Sequence, residues 1–347
     1  MAGRAPDSPR RPPWWSIIIA AAAAVALYLG LPKLAGLGDS WGRLSSGDPR
    51  WLVAAALFEV GSYGSYVWTF HRAFARPGSR IGWRESYDIA LAGVAASRLL
   101  ATAGAGGIVL SAWALRRSGM RRGDMVAGLT TFYVALYGVF MAALVLVGAG
   151  LRTGVLAGPA PTGLTVVPAL FGGLVIVTAL LAATLPRDLG GRVGRRLPGT
   201  GRAARWPRAA AGWMATVGDG VRGAILLLRR RDPALLGALG WWALDIAVLW
   251  ACFHAFGDTP SGGVIVMAYF TGMLGNLLPL PGGLGGVEGG MIGALLAFGV
   301  DGGLALAVVL SYRAFAYWLP IIPGALAYLH LLRTVSAWGS SPEGPAN

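Results

Sequence analysis

Arginine-rich blocks alternate with apolar stretches long enough to cross a bilayer, and this alternation constrains the fold more than any other feature of the sequence. A helix rising 1.5 Å per residue needs roughly 20 mostly apolar residues to cross a hydrocarbon core about 30 Å thick. Six stretches meet that requirement, at about 14 to 36, 51 to 72, 124 to 150, 163 to 185, 234 to 256 and 303 to 331. Charged residues make up 13% of the 347 positions and hydrophobic ones 55%, which leaves too little polar surface for a soluble protein of this length. The expected class is an all-α polytopic membrane protein.

The basic residues are sorted by side. Twenty-three of the 29 fall in five segments: Arg4, Arg10 and Arg11; Arg72, Arg76, Arg80 and Arg84; Arg116, Arg117, Arg121 and Arg122; eleven arginines between 186 and 233; and Arg333. The positive-inside rule makes these segments cytoplasmic. The net charge of +14 therefore measures topology, and no nucleic-acid partner is expected. Residues 1–13 and 332–347 become cytoplasmic tails of a cell-membrane protein, and 186–233 a solvated Arg-rich linker against anionic headgroups. The first stretch reads as an uncleaved helix, because its apolar run continues from Ile17 to about Ala35 without a small-residue cleavage site.

Two further apolar stretches, 86–115 and 262–300, are broken by Gly and Pro. Arg blocks bound the first at both ends, whereas Asp258 and Asp301 flank the second with no basic residue nearby. Each should enter and leave on one side, as a re-entrant hairpin. The order span, span, hairpin, span then occurs twice, in 14–150 and 163–331, with an odd number of crossings per half, so the halves are expected to form an inverted repeat.

Charges inside apolar segments cost about 2.5 to 3.5 kcal/mol each at a helix centre, so each demands a reason. Glu59, Arg98, Asp245, Glu288 and Arg313 all fall near the expected midplane. The second hairpin tip, with Asn276, Pro279, Pro281, Gly282, Gly283 and Gly285, starts a half-helix whose N–H groups face inward. Gly104, Gly106 and Gly107 occupy the corresponding place in the first. With Arg98, Asp245, Glu288 and Arg313, these glycines, prolines and Asn276 form the candidate substrate site, suited to an anionic group. Structural ion pairing and small-residue helix packing are the competing explanations. Neither a cofactor nor a metal site is expected: Cys252 is the sole cysteine, three histidines are scattered, and no Lys occupies a Walker A position. Gly38 to Gly42 fits G-x-S-x-G but sits in a short loop between helices, without a strand before it.

The stretch from Pro279 to Glu288, the pair Tyr312-Arg313 followed by Tyr317-Trp318-Leu319-Pro320, and the segment Trp242 to Asp245 resemble the transmembrane flippase-like region of lysylphosphatidylglycerol synthases. Arg98, the GAGG run and Leu115 to Gly119 resemble that family's other re-entrant element, although only small residues stand between Ala101 and Gly107 where the family carries Arg and Glu. The resemblance implies translocation of a membrane lipid or polyprenyl-phosphate-linked glycan. Lysyl transfer is not expected, since no segment after Arg333 has the size of the family's aminoacyl-transferase domain, and no catalytic set is visible. A scaffold for a glycosyltransferase or lipid-modifying enzyme is the alternative, which leaves a membrane enzyme or a second copy of the chain as protein partners.

Overall fold

The computed structural model describes residues 46–75, 79–99, 105–196, 202–278 and 280–340, and among them there is no strand. The expected first span, Gly104 and Pro279 lie outside these residues. Four helices are long and apolar enough to cross a membrane: α4 (Arg122–Arg152), α5 (Thr162–Thr184), α8 (Ala234–Phe256) and a final track Gly302–Trp338. Helix α1 (Pro49–Phe74) is 26 residues long but carries Glu59 and a Gly/Ser/Tyr-rich middle, and it is not among those four.

Local chemistry sets the ends of α1 and α8. Asp48 caps α1 by accepting the Arg50 amide at 2.9 Å, with Pro49 in the first turn where its missing N–H costs nothing. Gly257, with φ of 147°, ends α8. The two helices pack along a small-residue seam: a Cβ on Gly237 would come within 2.3 Å of Thr69 Oγ1, and one on Gly240 within 2.8 Å of Ser65 Oγ. Ser62 adds a 2.9 Å hydrogen bond to the Trp241 carbonyl. Close backbone approach replaces the hydrophobic effect as the glue between helices where the solvent is itself apolar.

The two interrupted stretches are pairs of short helices. Helices α2 (Trp83–Leu99) and α3 (Ala105–Arg117) have 17 and 13 residues, about 25 and 20 Å. Helices α9 (Gly262–Met273) and α10 (Gly286–Ala297) have 12 residues each, about 18 Å. None reaches across a core of about 30 Å alone. In each pair the partners pack on one another.

The final track consists of α11 (Gly302–Arg313), a π turn over Ala314–Trp318, and α12 (Ile321–Ser340). Pro320 has no N–H to give the Ala316 carbonyl, and the ladder slips so that Leu319 N–H reaches the Ala314 carbonyl at 3.1 Å. Helix α11 packs on α10, and α12 packs on α2. Two apolar cores result, one built on α8 to α11 around Phe253, Met267 and Met291, the other on α1 to α4 and α12 around Phe70, Leu115 and Leu331.

The expected solvated linker is corrected. Residues 186–233 form α6 (Leu189–Arg196) and α7 (Arg202–Arg229), and α7 packs on α4 and α5. A Cβ on Gly223 would lie 2.2 Å from Thr131 Oγ1 and one on Gly218 2.3 Å from the Ala182 carbonyl, so glycines let the helices touch. Arg222 binds the Ala183 and Leu185 carbonyls at 2.5 and 3.2 Å and Asp219 at 2.8 Å, satisfying the free C-terminal end of α5.

Candidate polar site between the two broken helix pairs

Glu288 is the third residue of α10. One of its carboxylate oxygens accepts the Gly285 amide at 2.8 Å, half of a capping box, because Gly285 has no side chain to reciprocate. The other accepts Arg313 Nε at 2.7 Å, and both side chains are buried. The N-terminus of α10 thus already holds a carboxylate of its own chain.

Arg313 also donates to the Gly282 carbonyl at 3.2 Å, and its guanidinium lies 4.5 Å from the centre of the Tyr317 ring. Gly282 has φ of 54°, and a Cβ there would come within 2.3 Å of Tyr317 Cε2. A glycine is required twice over, for the dihedral and for the ring that covers it. The π turn presents Tyr317 to a second cation. Arg98 donates to the Tyr317 carbonyl at 2.8 Å, its guanidinium lies 5.5 Å from the same ring, and Tyr317 Oη returns a 3.2 Å bond to the Arg98 carbonyl.

From Arg98 the network passes to α1 and α8. Arg98 donates to Tyr63 Oη, and Tyr63 lies one helical turn after Glu59 on the same face of α1. Glu59 and Asp245 are both buried, on α1 and α8, which pack on each other, and each carboxyl acts electrostatically on the other. Asp245 Oδ2 accepts Tyr269 Oη at 2.5 Å and Tyr312 Oη at 3.2 Å. Two arginines, three carboxylates and four tyrosines thus share one polar cluster.

Arg98, Asp245, Glu288, Arg313, Gly282 and Gly285 join this assembly. Asn276 is exposed, donates to the Met273 sulfur at 3.3 Å and lies over Gly283, where a Cβ would be 2.3 Å from Asn276 Oδ1. Pro281 opens the short turn Pro281–Gly283 that aims the Gly282 carbonyl. Gly107 serves packing: its amide donates to Ser97 Oγ at 3.0 Å, and a Cβ would lie 2.5 Å from the Gly93 carbonyl. Gly106 is buried at the start of α3.

Sequence reasoning did not single out Tyr63 and Tyr269, and left Glu59 out of the candidate site. Their signal is weak: helical spacing puts Glu59 and Tyr63 on one face four residues apart, but nothing local says what that face meets. Surface grooves of about 530 and 570 Å³ lie between α4 and α5 and between α5 and α7, and no member of the network lines either.

Helices able to cross a membrane, packed around a buried network of arginines and carboxylates, define a multi-pass integral membrane protein with a polar interior. The chain belongs to the family described as the lysylphosphatidylglycerol synthase TM region, whose model matches residues 14–324. It is similar to two UPF0104 membrane proteins of Methanothermobacter thermautotrophicus. One match is 35% identical over 94 residues, covering 27% of this chain and 27% of that protein. The other is 35% identical over 86 residues, covering 24% and 26%. The chain thus spans about a quarter of the length of these curated relatives.

Proposed function

We propose that the protein translocates a lipid or lipid-linked glycan by binding its anionic headgroup between the two broken helix pairs, which act as re-entrant hairpins of two inverted halves in the cell membrane. The observation that carries this reading is the placement of Arg98 and Arg313 on one tyrosine, Tyr317, with each arginine coming from a different broken-pair neighbourhood. A phosphate group entering there exchanges the Glu288 carboxylate for itself at Arg313 and meets Arg98 from the other side. The acyl chains remain in the bilayer. Packing of α12 on α2 and of α4 on α9, with α1 against α8 at the centre, supports two interlocked halves that rock against each other.

The test is reconstitution in vesicles with a labelled phosphatidylglycerol in one leaflet. Transfer to the other leaflet is expected with the native chain and lost in Arg313→Ala and Arg98→Gln. Unchanged transfer in both variants refutes the site.

A second reading, a scaffold for a membrane enzyme, is favoured by one observation: α7 carries Trp206 and Trp213 with 79% and 69% of their surfaces exposed beside its arginines. It predicts that α7 substitutions abolish function while Arg98 and Arg313 are dispensable.

A further inference from the structure

The charges of the buried network do not balance. Arg98 and Arg313 supply two positive charges, while Glu59, Asp245 and Glu288 supply three negative ones if all are ionised. Glu288 and Arg313 neutralise each other at 2.7 Å. That leaves Arg98 for two carboxyls, and it donates to Tyr63 Oη and the Tyr317 carbonyl rather than to either one.

Glu59 and Asp245 are 2% and 8% exposed. Among the described residues, Glu59 Oε2 and Asp245 Oδ1 have no hydrogen-bond donor. An ionised, buried carboxylate oxygen without a donor is costly, and two buried carboxylates that act on each other cannot both remain charged. A single proton placed between them removes both problems. It gives each lone oxygen a role, one as donor and one as acceptor, and brings the network to neutrality.

The ionisable groups that face the pair are few. Helix α1 supplies Tyr63, α2 supplies Arg98, α9 supplies Tyr269, α11 supplies Tyr312, and α8 itself supplies Cys252. The tyrosines and the cysteine are neutral partners, and Arg98 is the cation that acts on both carboxyls.

We propose that Glu59 and Asp245 hold one shared, exchangeable proton, and that an anion engaging Arg98 draws a second proton onto the pair. With one proton, the pair carries a single negative charge against Arg98. When a headgroup anion takes Arg98, that charge is uncompensated, and a proton from water binds the remaining carboxylate, forming one O–H bond and releasing hydroxide to the bulk. Release of the anion reverses the step. The shared proton rests on the burial of the two carboxyls, their oxygens without donors and the packing of α1 on α8, while the anion linkage rests on the translocation reading.

The test is infrared spectroscopy of the full chain in phosphatidylcholine nanodiscs across a pH series, in H₂O and D₂O. A protonated-carboxyl C=O band is expected at neutral pH, shifted by D₂O and lost or displaced in both Glu59→Gln and Asp245→Asn. Asp88→Asn, at the cytoplasmic pair with His330, should leave it in place. Absence of the band in the native chain overturns the proposal without reliance on any variant, as does a band indifferent to both substitutions. Sodium-dependent thermal stabilisation without the band would assign the pair to a cation instead. In phosphatidylglycerol nanodiscs the band should grow and persist to higher pH, and Arg98→Gln should remove that increment. An increment surviving in Arg98→Gln reflects surface charge and overturns the linkage. The spectrum requires no transport, so a band without lipid transfer refutes translocation and keeps the proton site, and transfer without a band does the reverse.

Discussion

Arg313 and Glu288 meet at 2.7 Å across α11 and α10, and the same guanidinium lies 4.5 Å from the centre of the Tyr317 ring. Both partners are buried, so the pair gains little over two well-packed apolar residues but is expensive to break one side at a time.

Glu288→Ala or Arg313→Ala alone should therefore lower stability by about 3 to 5 kcal/mol, while the double variant loses less than the sum of the two. Thermal unfolding of the four proteins in detergent, read as a double-mutant cycle, checks this.

Tyr317→Phe keeps the ring between the two arginines and loses only the 3.2 Å bond to the Arg98 carbonyl, so its effect on stability should stay near 1 kcal/mol. Tyr317→Leu removes the aromatic face from both cations and should reduce vesicle transfer well beyond Tyr317→Phe.

Gly282→Ala forces an L residue into φ of 54° and pushes a methyl group into Tyr317. A loss of about 2 kcal/mol or more is expected. Gly289→Ala, four residues after Gly285 in α10 with open space at its Cβ, should be neutral or slightly stabilising in the same unfolding assay.

Arg222→Gln removes the cation that satisfies the α5 C-terminus and pairs with Asp219. If α7 is docked as described, stability should fall by about 1 to 2 kcal/mol, and proteolysis between 186 and 233 should accelerate. A solvated linker would show neither change.

Much of this architecture was legible locally. Runs of apolar residues and their Arg borders marked α4, α5, α8 and the final track, and the Gly/Pro breaks marked the two short pairs, since these features are sums over neighbouring residues. The Arg-rich segment misled because composition counts charge and says nothing of partners: Gly218, Gly220 and Gly223 let α7 touch α5 and α4, and Arg222 is taken up by the end of α5.

The site divides along the same line. Sequence alone marked Arg98, Asp245, Glu288 and Arg313 as charges in apolar segments that need partners, because the cost of burying a charge belongs to the residue and its depth. Which partner each one has was decided by tertiary structure. Glu288 finds Arg313 25 residues away, Arg98 finds Tyr317 219 residues away, and the helices of Glu59 and Asp245 pack closely because glycines let α1 and α8 touch. A hydrogen bond is specified by ångströms and angles, and those follow from helix packing that no single segment encodes.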